Sequence, residues 1–330
     1  MNDLTALALP TVACRLPQNP TLSLVVPAFN EEECIVEALR KIDLAACRVV
    51  DCYEIIIVDD GSTDRTYELA CTLCSVMPLR VIRFSRNFGK EQALMAGLQA
   101  ANGQAVVTMD ADGQEPLSAL PVMFDHWRNG YKMAYAVLAH RRDETVVKKF
   151  LTKAFYNALN FGTDVAIPAD ARDFRLMDRR VVDAITSLTE RNRFMKGLYG
   201  WVGFKSIAVP VQLSARQAGQ SKFGFRRLSQ LALTGVTSFT AWPLRVWTGI
   251  GTAVALLSLS YGIFLAGRTF LLGTDLPGWS TLAVGMLFLG GVQLVSIGVL
   301  GEYIARIFTD VNGRPGFIID CVLSSVTGLQ

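Results

Sequence analysis

This sequence of 330 residues predicts a doubly wound α/β domain followed by a pair of membrane helices. Three observations predict it. Strand-length apolar runs alternate with amphipathic helical patterns over residues 22–110. Two later segments, 246–267 and 279–301, hold 22 and 23 residues without a charge. Charged residues make up only 18% of the chain and hydrophobic ones 51%, where soluble domains carry about a quarter charged.

The first strand is LSLVVPAFN, from Leu22, and it is stopped near Pro27. EEECIVEALRKI then reads as an amphipathic helix opened by Asn30 and the acids. EIIIVDDGSTD is a second buried strand ending in Asp59, Asp60 and Gly61, and Ser62, Thr63 and Asp64 can cap the helix after it. LRVIRFS is the third strand, KEQALMAGLQAA the third helix and QAVVTMD the fourth strand. Such spacings need parallel crossovers. Ligands of these sheets bind beyond the carboxyl ends of the strands. Residues 27–31, Asp59 with Asp60, 85–87 and 110–114 all fall on that edge.

The second half changes character. TVVKKFLTKAFYNALNF gathers Val147, Phe150, Leu151, Ala154, Phe155 and Ala158 on one face, beside Lys148, Lys149 and Lys153. KFGFRRLSQLALTGVTSF does the same with Phe225, Leu228 and Leu231 beside Arg226 and Arg227. Each is either a helix packed on the sheet or one lying on an anionic membrane surface; the neighbouring apolar segments favour the membrane for the second. At about 1.5 Å per residue, both uncharged segments reach across a hydrocarbon core of about 30 Å. The connector RTFLLGTDLP makes them a hairpin. Arg226, Arg227 and Arg245 precede it, Arg306 and Arg314 follow, and only Arg268 lies between. The positive-inside rule therefore assigns the α/β domain and both termini to the cytoplasm. Trp242, Trp247 and Trp279 are candidate interface anchors.

Three further features narrow the class. The N-terminus carries Asp3, lacks a basic start and is broken by Pro10, so it reads as an extension and not a signal peptide. A net charge of +3 gives no support for a nucleic-acid partner. The seven cysteines form no regular framework, and the CxxC of Cys71 and Cys74 reads as buried thiols in a reducing compartment.

The chemistry concentrates in VVTMDADGQEP, residues 106–116. Two carboxylates one residue apart at a strand end repel each other unless a cation lies between them. Hard divalent cations take oxygen ligands and keep substrate phosphates in their shell. Asp112 and Gln114, supported by Asp110, can supply such oxygens, and the cation would neutralise a departing nucleotide. No GxGxxG follows the first strand and no GxxxxGK[ST] is present, which argues against a dinucleotide or P-loop site.

PAFNEEE, VDDGSTD, RNFGKEQALMAGL, DADGQEP, DFRLM, RFMKGLYGWVG and LGEYIARIFTDV together resemble the family 2 glycosyltransferases acting on polyprenyl phosphate. The likeness is greatest to the bactoprenol glucosyltransferases of O-antigen (lipopolysaccharide) modification, and it runs over about residues 22–315. It implies a GT-A fold and the following domain plan: an extension (1–20), a cytoplasmic catalytic domain (21–222), a juxtamembrane segment (223–245), two spans (246–267 and 279–301) and a cytoplasmic tail (302–330).

The resemblance also implies roles. Pro27, Phe29 and Glu31 match the loop that touches the nucleotide, and Asp60 matches the acid that reads the uracil edge. Asp110, Asp112 and Gln114 match the site for Mg2+ or Mn2+ and the diphosphate. Arg141 matches a basic residue near the donor phosphates; Arg216, Ser221 and Lys222 match a loop that closes over phosphates. Asp173 matches the proposed catalytic base. Bland alternatives stand beside these: Asp60 as a helix cap, Arg216 and Lys222 as a solvated face or a headgroup contact, and Asp173 as a group that orients the acceptor or positions Arg175. The chain departs from the family pattern at Arg172, where glycine is usual, and at Gly113, where relatives often have leucine.

The implied reaction is inverting transfer of glucose from UDP-glucose to undecaprenyl phosphate. Mannose, galactose or aminoarabinose donors, or an inactive membrane scaffold, are the alternatives. Its expected setting is the bacterial inner membrane, as a multi-pass homo-oligomer among membrane lipids, with a flippase and a downstream glycosyltransferase in the same pathway.

Overall fold

The computed structural model describes residues 16–113, 115–138, 171–188, 190, 195–211, 242–272 and 278–325. They fall into two compact units: an α/β unit, which includes residues 315–325, and a helical unit, which includes 242–272 and 278–314.

The α/β unit is built on eight described strands: β1 (Leu22–Ala28), β2 (Tyr53–Asp59), β3 (Leu79–Phe84), β4 (Ala105–Thr108), β5 (Met133–Leu138), β6 (Ala171–Asp178), β7 (Ser206–Val211) and β8 (Ile319–Ser324). Their order across the sheet is β7-β5-β6-β4-β1-β2-β3-β8. The four strands expected from the apolar runs are its parallel centre, with β1 between β2 and β4 and β3 beyond β2. Every residue of β1 is buried, as is every residue of β2 after Tyr53. Strands covered on both faces read as continuous apolar runs. That is why LSLVV and EIIIV were recognisable in the sequence.

Helix α1 (Ile35–Cys47) buries Ile35, Ala38, Leu39, Ile42 and Ala46, the 3.6-residue stripe expected of it. Each such leucine or isoleucine removed from water contributes about 1.5–3 kcal/mol. α2 (Thr66–Thr72) is short. In α3 (Lys90–Ala100), residues 93–98 are all buried, so this helix is enclosed on nearly every side. α4 (Leu120–Arg128), α5 (Arg179–Ser187) and α6 (Met195–Trp201) complete the unit.

Two features add to the expectation. The sheet is mixed, because β6 runs antiparallel to β4, and β8 antiparallel to β3. The segment expected as a tail, 302–330, also contains a strand: β8 pairs with β3 from Arg80↔Ser324 to Phe84↔Ile319. Ahead of it, Phe317 stacks on Phe84 with ring centroids 4.9 Å apart, and Ser85 N–H donates to the Ile318 carbonyl at 3.0 Å. The edge of β3 would otherwise present unpaired backbone groups, and β8 satisfies them.

The helical unit contains α7 (Trp242–Leu272) and α8 (Trp279–Val311), so both expected spans lie within helices. Among the described residues, Phe288–Val311 is long and apolar enough to cross a membrane, and Gly249–Tyr261 is a shorter apolar stretch. Leu257, Phe264, Met286 and Leu294 are 61–71% exposed. Large apolar side chains turned outward along a helix pair are what a lipid environment accepts.

Candidate active site

The four sequence clusters at the carboxyl edge of the sheet are bonded into one structure. Asn30, in the left-handed region at φ 54°, accepts the Thr63 N–H at 2.9 Å through its side chain and donates its own N–H to Ser62 Oγ at 2.9 Å. The Glu31 N–H donates to Thr66 Oγ1 at 2.8 Å, and the Glu32 N–H to Asp64 at 3.2 Å. Asp64 also accepts the Thr66 N–H at 3.0 Å, just ahead of α2, whose N-cap is Arg65 and carries no side-chain cap bond. The β1–α1 and β2–α2 loops therefore hold each other. Gly61 carries φ +67°, and a Cβ there would lie 2.4 Å from the Arg86 carbonyl carbon. The third loop thus packs directly on the second, and only glycine permits the approach.

Asp60 is buried and accepts backbone N–H bonds from Phe88 at 2.7 Å and Gly89 at 2.9 Å. Burial raises its carboxyl above the ordinary range, against the pull of those two amides. It does not cap α2; it clamps the loop that opens α3. Pro27 is buried in β1 beside Val58, Phe29 is 42% exposed, and Glu31 is half-buried with its carboxylate accepting from Cys34 Sγ at 3.0 Å.

At the end of β4, Asp110 and Asp112 occupy the expected turn, both half-buried. Gly113 has φ +68° with open space around it, so glycine suits this departure from the family pattern. Asp173, in β6, is brought to the same place by the antiparallel pairing of β4 with β6, in which Thr108 lies opposite Arg175. Thr108 Oγ1 also donates to the Asp173 carbonyl at 2.7 Å.

Between the two acids lies a residue that sequence reasoning missed. Lys90 Nζ is 2.6 Å from Asp110 Oδ1 and 2.6 Å from Asp173 Oδ2. Burial disfavours its charge, yet the two carboxylates outweigh that and hold the ammonium well above its usual range. Burial likewise works against ionised Asp173, but Lys90, Lys196 and Arg175 overcome it and hold that carboxyl down at about 2. Burial and the neighbouring Asp173 push Asp110 up, with Lys90 opposing. The signal available in the sequence was Lys90's position at the start of a helix, beside the RNFG loop.

A second layer supports these groups. Arg172, the other departure from the family pattern, pairs with Glu115 through Nη2 at 3.1 Å and Nε at 3.2 Å. Arg175 lies over the rings of Tyr199 and Tyr135, 4.3 and 5.3 Å from their centroids, and its Nε donates to the Arg172 carbonyl. Glu91 accepts the Met195 N–H at 3.1 Å, joining α3 to α6. Burial, with Asp173 close by, pushes the Glu91 carboxyl up to about 7. The thiols of Cys71 and Cys74 are raised by burial, to about 11 for Cys74, which fits the reading of that CxxC as unreactive. A pocket of about 570 Å³ opens between α1 and the turn after β4, lined by Lys41, Arg48, Asp110, Gly113 and Glu115 among others. Gln114, Arg141, Arg216, Ser221 and Lys222 lie outside the described residues.

Comparison with known proteins gives this arrangement its family. Residues 23–186 match the model of glycosyl transferase family 2, and residues 242–307 match that of the GtrB C-terminal hairpin. An uncharacterized glycosyltransferase of Synechocystis is 44% identical over 310 residues, covering 94% of this chain and 96% of the relative. The SfII prophage-derived bactoprenol glucosyl transferase of Shigella flexneri is 43% identical over 303 residues, covering 90% and 97%. A mannosyltransferase of Pyrobaculum calidifontis, solved with GDP-Man and Mn2+, aligns with a TM-score of 0.45 at 20% identity, covering 92% and 90%. The chain belongs to glycosyl transferase family 2: it is a glycosyltransferase of GT-A fold that carries the GtrB-type C-terminal hairpin.

Proposed function

We propose that this enzyme transfers glucose from UDP-glucose to undecaprenyl phosphate with inversion, giving a lipid-linked glucose used in cell-surface glycan modification. The observation that carries the reading is the 43% identity to a bactoprenol glucosyl transferase across the catalytic domain and the hairpin alike. A polyprenyl phosphate is an acceptor that a hairpin-anchored catalytic domain is suited to meet.

The donor set fits a hard divalent cation, Mg2+ or Mn2+. Asp110 and Asp112 offer carboxylate oxygens from one turn, and Gln114 adds an amide oxygen by sequence. Among the described residues no cluster of three His, Cys, Asp or Glu side chains could hold a metal alone. The substrate diphosphate would complete the shell, as hard cations commonly require. When bound, the cation supplies neutralisation of the leaving UDP.

The chain's own residues carry the rest. A carboxyl that Lys90, Lys196 and Arg175 hold below its ordinary range stays ionised and is a weak base. A phosphomonoester has its second pKa at about 6, so the acceptor is already an ionised nucleophile. Asp173 therefore orients the acceptor and fixes Lys90, and does not remove a proton. Arg175 and Lys196 offset the repulsion between Asp173 and an arriving phosphate. Arg141, Arg216, Ser221 and Lys222 are proposed to close over the phosphates, and Pro27, Phe29, Glu31 and Asp60 to border the nucleotide. Positioning and charge neutralisation then supply most of the acceleration.

The proposed setting is a two-span inner-membrane protein, a homo-oligomer with its catalytic domain and termini cytoplasmic, passing product to a flippase and a downstream transferase. Membranes containing the enzyme, incubated with a panel of labelled nucleotide sugars and then extracted for lipid, test the reading. Label entering the lipid phase from UDP-glucose alone is expected. Label from a mannose, galactose or aminoarabinose donor would reassign the sugar, and no label from any donor would leave a scaffold.

A further inference from the structure

Lys90 lies where several constraints converge. It takes the first position of α3, where the helix dipole disfavours a cation. The backbone just before it is held by the Phe88 and Gly89 N–H bonds to Asp60. Its ammonium nevertheless reaches 2.6 Å from both Asp110 and Asp173. Among the described residues it is the one cation paired with Asp110, while Asp173 also feels Lys196 and Arg175. The side chain is 42% exposed. The head can therefore swing away on its flexible stem while α3, enclosed by its neighbours, stays in place.

We propose that Lys90 is a resident counter-cation that makes metal binding depend on the nucleotide. In the substrate-free enzyme it holds Asp110 and Asp173 together and opposes entry of a bare divalent cation. When the cation arrives with a nucleoside diphosphate, the ammonium gives up Asp110 and finds a new partner in the diphosphate oxygens. A bare cation would have to displace Lys90 from Asp110 and leave it with Asp173 as its one remaining partner among the described residues. A cation accompanied by the diphosphate brings a second partner for the ammonium. Lys90 is thus a positioning residue whose two alternative partners couple the two binding events, and such coupling is reciprocal. This rests on the cation-dependent reading of Asp110 and Asp112.

The test is a titration of Mn2+ into the full-length protein in detergent, with free Mn2+ read by electron paramagnetic resonance, with and without UDP. Wild type is compared with Lys90→Gln, Lys90→Met and Lys90→Arg. Without UDP, the Gln and Met variants are expected to bind Mn2+ about tenfold tighter than wild type, and UDP is expected to tighten Mn2+ binding about tenfold less in them than in wild type. Lys90→Arg keeps the charge and is expected to follow wild type. Either neutral variant suffices if the other fails to fold. Equal Mn2+ affinity in wild type and a neutral variant, or an arginine variant that behaves like glutamine, overturns the proposal while leaving the cation reading intact. No Mn2+ binding by any form, even with UDP present, overturns both.

Discussion

In the α/β unit Leu24, Ile57, Val107 and Phe174 are sealed from solvent, whereas in the hairpin Leu257, Phe264, Met286 and Leu294 are each more than half exposed. The residues are equally apolar, so the difference lies in the solvent each unit expects. In the first, water drives burial, and a buried charge persists only where a partner or a function holds it. Buried Asp60 meets that condition through the Phe88 and Gly89 amides, and half-buried Asp173 is held by Lys90. In the second, lipid replaces water and outward leucines cost nothing. The first unit therefore reveals its function through polar contacts, and the second through the large apolar side chains it turns outward.

The comparison is broken most sharply by putting a carboxylate into each unit. Leu257→Asp in the hairpin should cost about 2.5–3.5 kcal/mol of insertion energy and reduce the carbonate-resistant membrane fraction, while the α/β unit keeps its fold by circular dichroism. Leu24→Asp should do the reverse, unfolding the α/β unit while the hairpin still inserts. A hairpin variant that remains fully membrane-bound would count against lipid as the solvent of that surface.

A pH series sharpens the first half of the comparison. The Glu91 carboxyl lies at about 7 in the folded protein, above its ordinary value of 4.5. The folded state therefore holds this proton more tightly than the unfolded state. That contribution to stability is complete below about pH 4.5 and is lost as pH rises through about 7. Glu91→Gln, which keeps an acceptor for the Met195 N–H, should flatten the denaturation midpoint between pH 5 and pH 8, a span over which the wild type loses up to about 3 kcal/mol. An unchanged slope would mean that Glu91 is ionised and well solvated.

The sequence revealed the parallel centre because strands covered on both faces are unbroken apolar text, and because each ends in polar residues at the same edge. It also singled out Asp110 and Asp112 at that edge, and the family resemblance added Asp173, which the structure joins to Asp110 through Lys90. The added strands were less legible. β8 is only six residues long and follows a membrane helix, with no crossover pattern to announce it. Lys90 was passed over because a lysine in the first turn of a helix reads as a solvated side chain, and its two partners are 20 and 83 positions away. For Asp60, matched to the acid that reads the uracil edge with a helix cap as the alternative, the partners in the fold are the Phe88 and Gly89 amides, from a loop that only the fold brings near.

A smaller effect is expected at Arg226 and Arg227, which precede the hairpin and lie outside the described residues. Near an anionic leaflet each cation contributes about 1 kcal/mol. With the hairpin proposed as the anchor, their proposed role is to hold the catalytic edge on the headgroup layer. Replacing both with Gln should raise the KM for undecaprenyl phosphate, leave that for the nucleotide sugar nearly unchanged and leave membrane partitioning normal. A rise in the nucleotide-sugar KM instead would assign them to the donor site.

The central claim is cation-dependent transfer of glucose to a polyprenyl phosphate at the turn after β4. It is tested most directly with purified full-length enzyme, radiolabelled UDP-glucose and undecaprenyl phosphate, by counting label extracted into organic solvent. Wild type should transfer label. EDTA should abolish transfer, and Mg2+ or Mn2+ should restore it. Asp112→Asn should lower the rate by about 100-fold or more, the scale set by losing charge stabilisation in the transition state. Full wild-type activity in EDTA, or an Asp112→Asn enzyme as fast as wild type, would contradict the account.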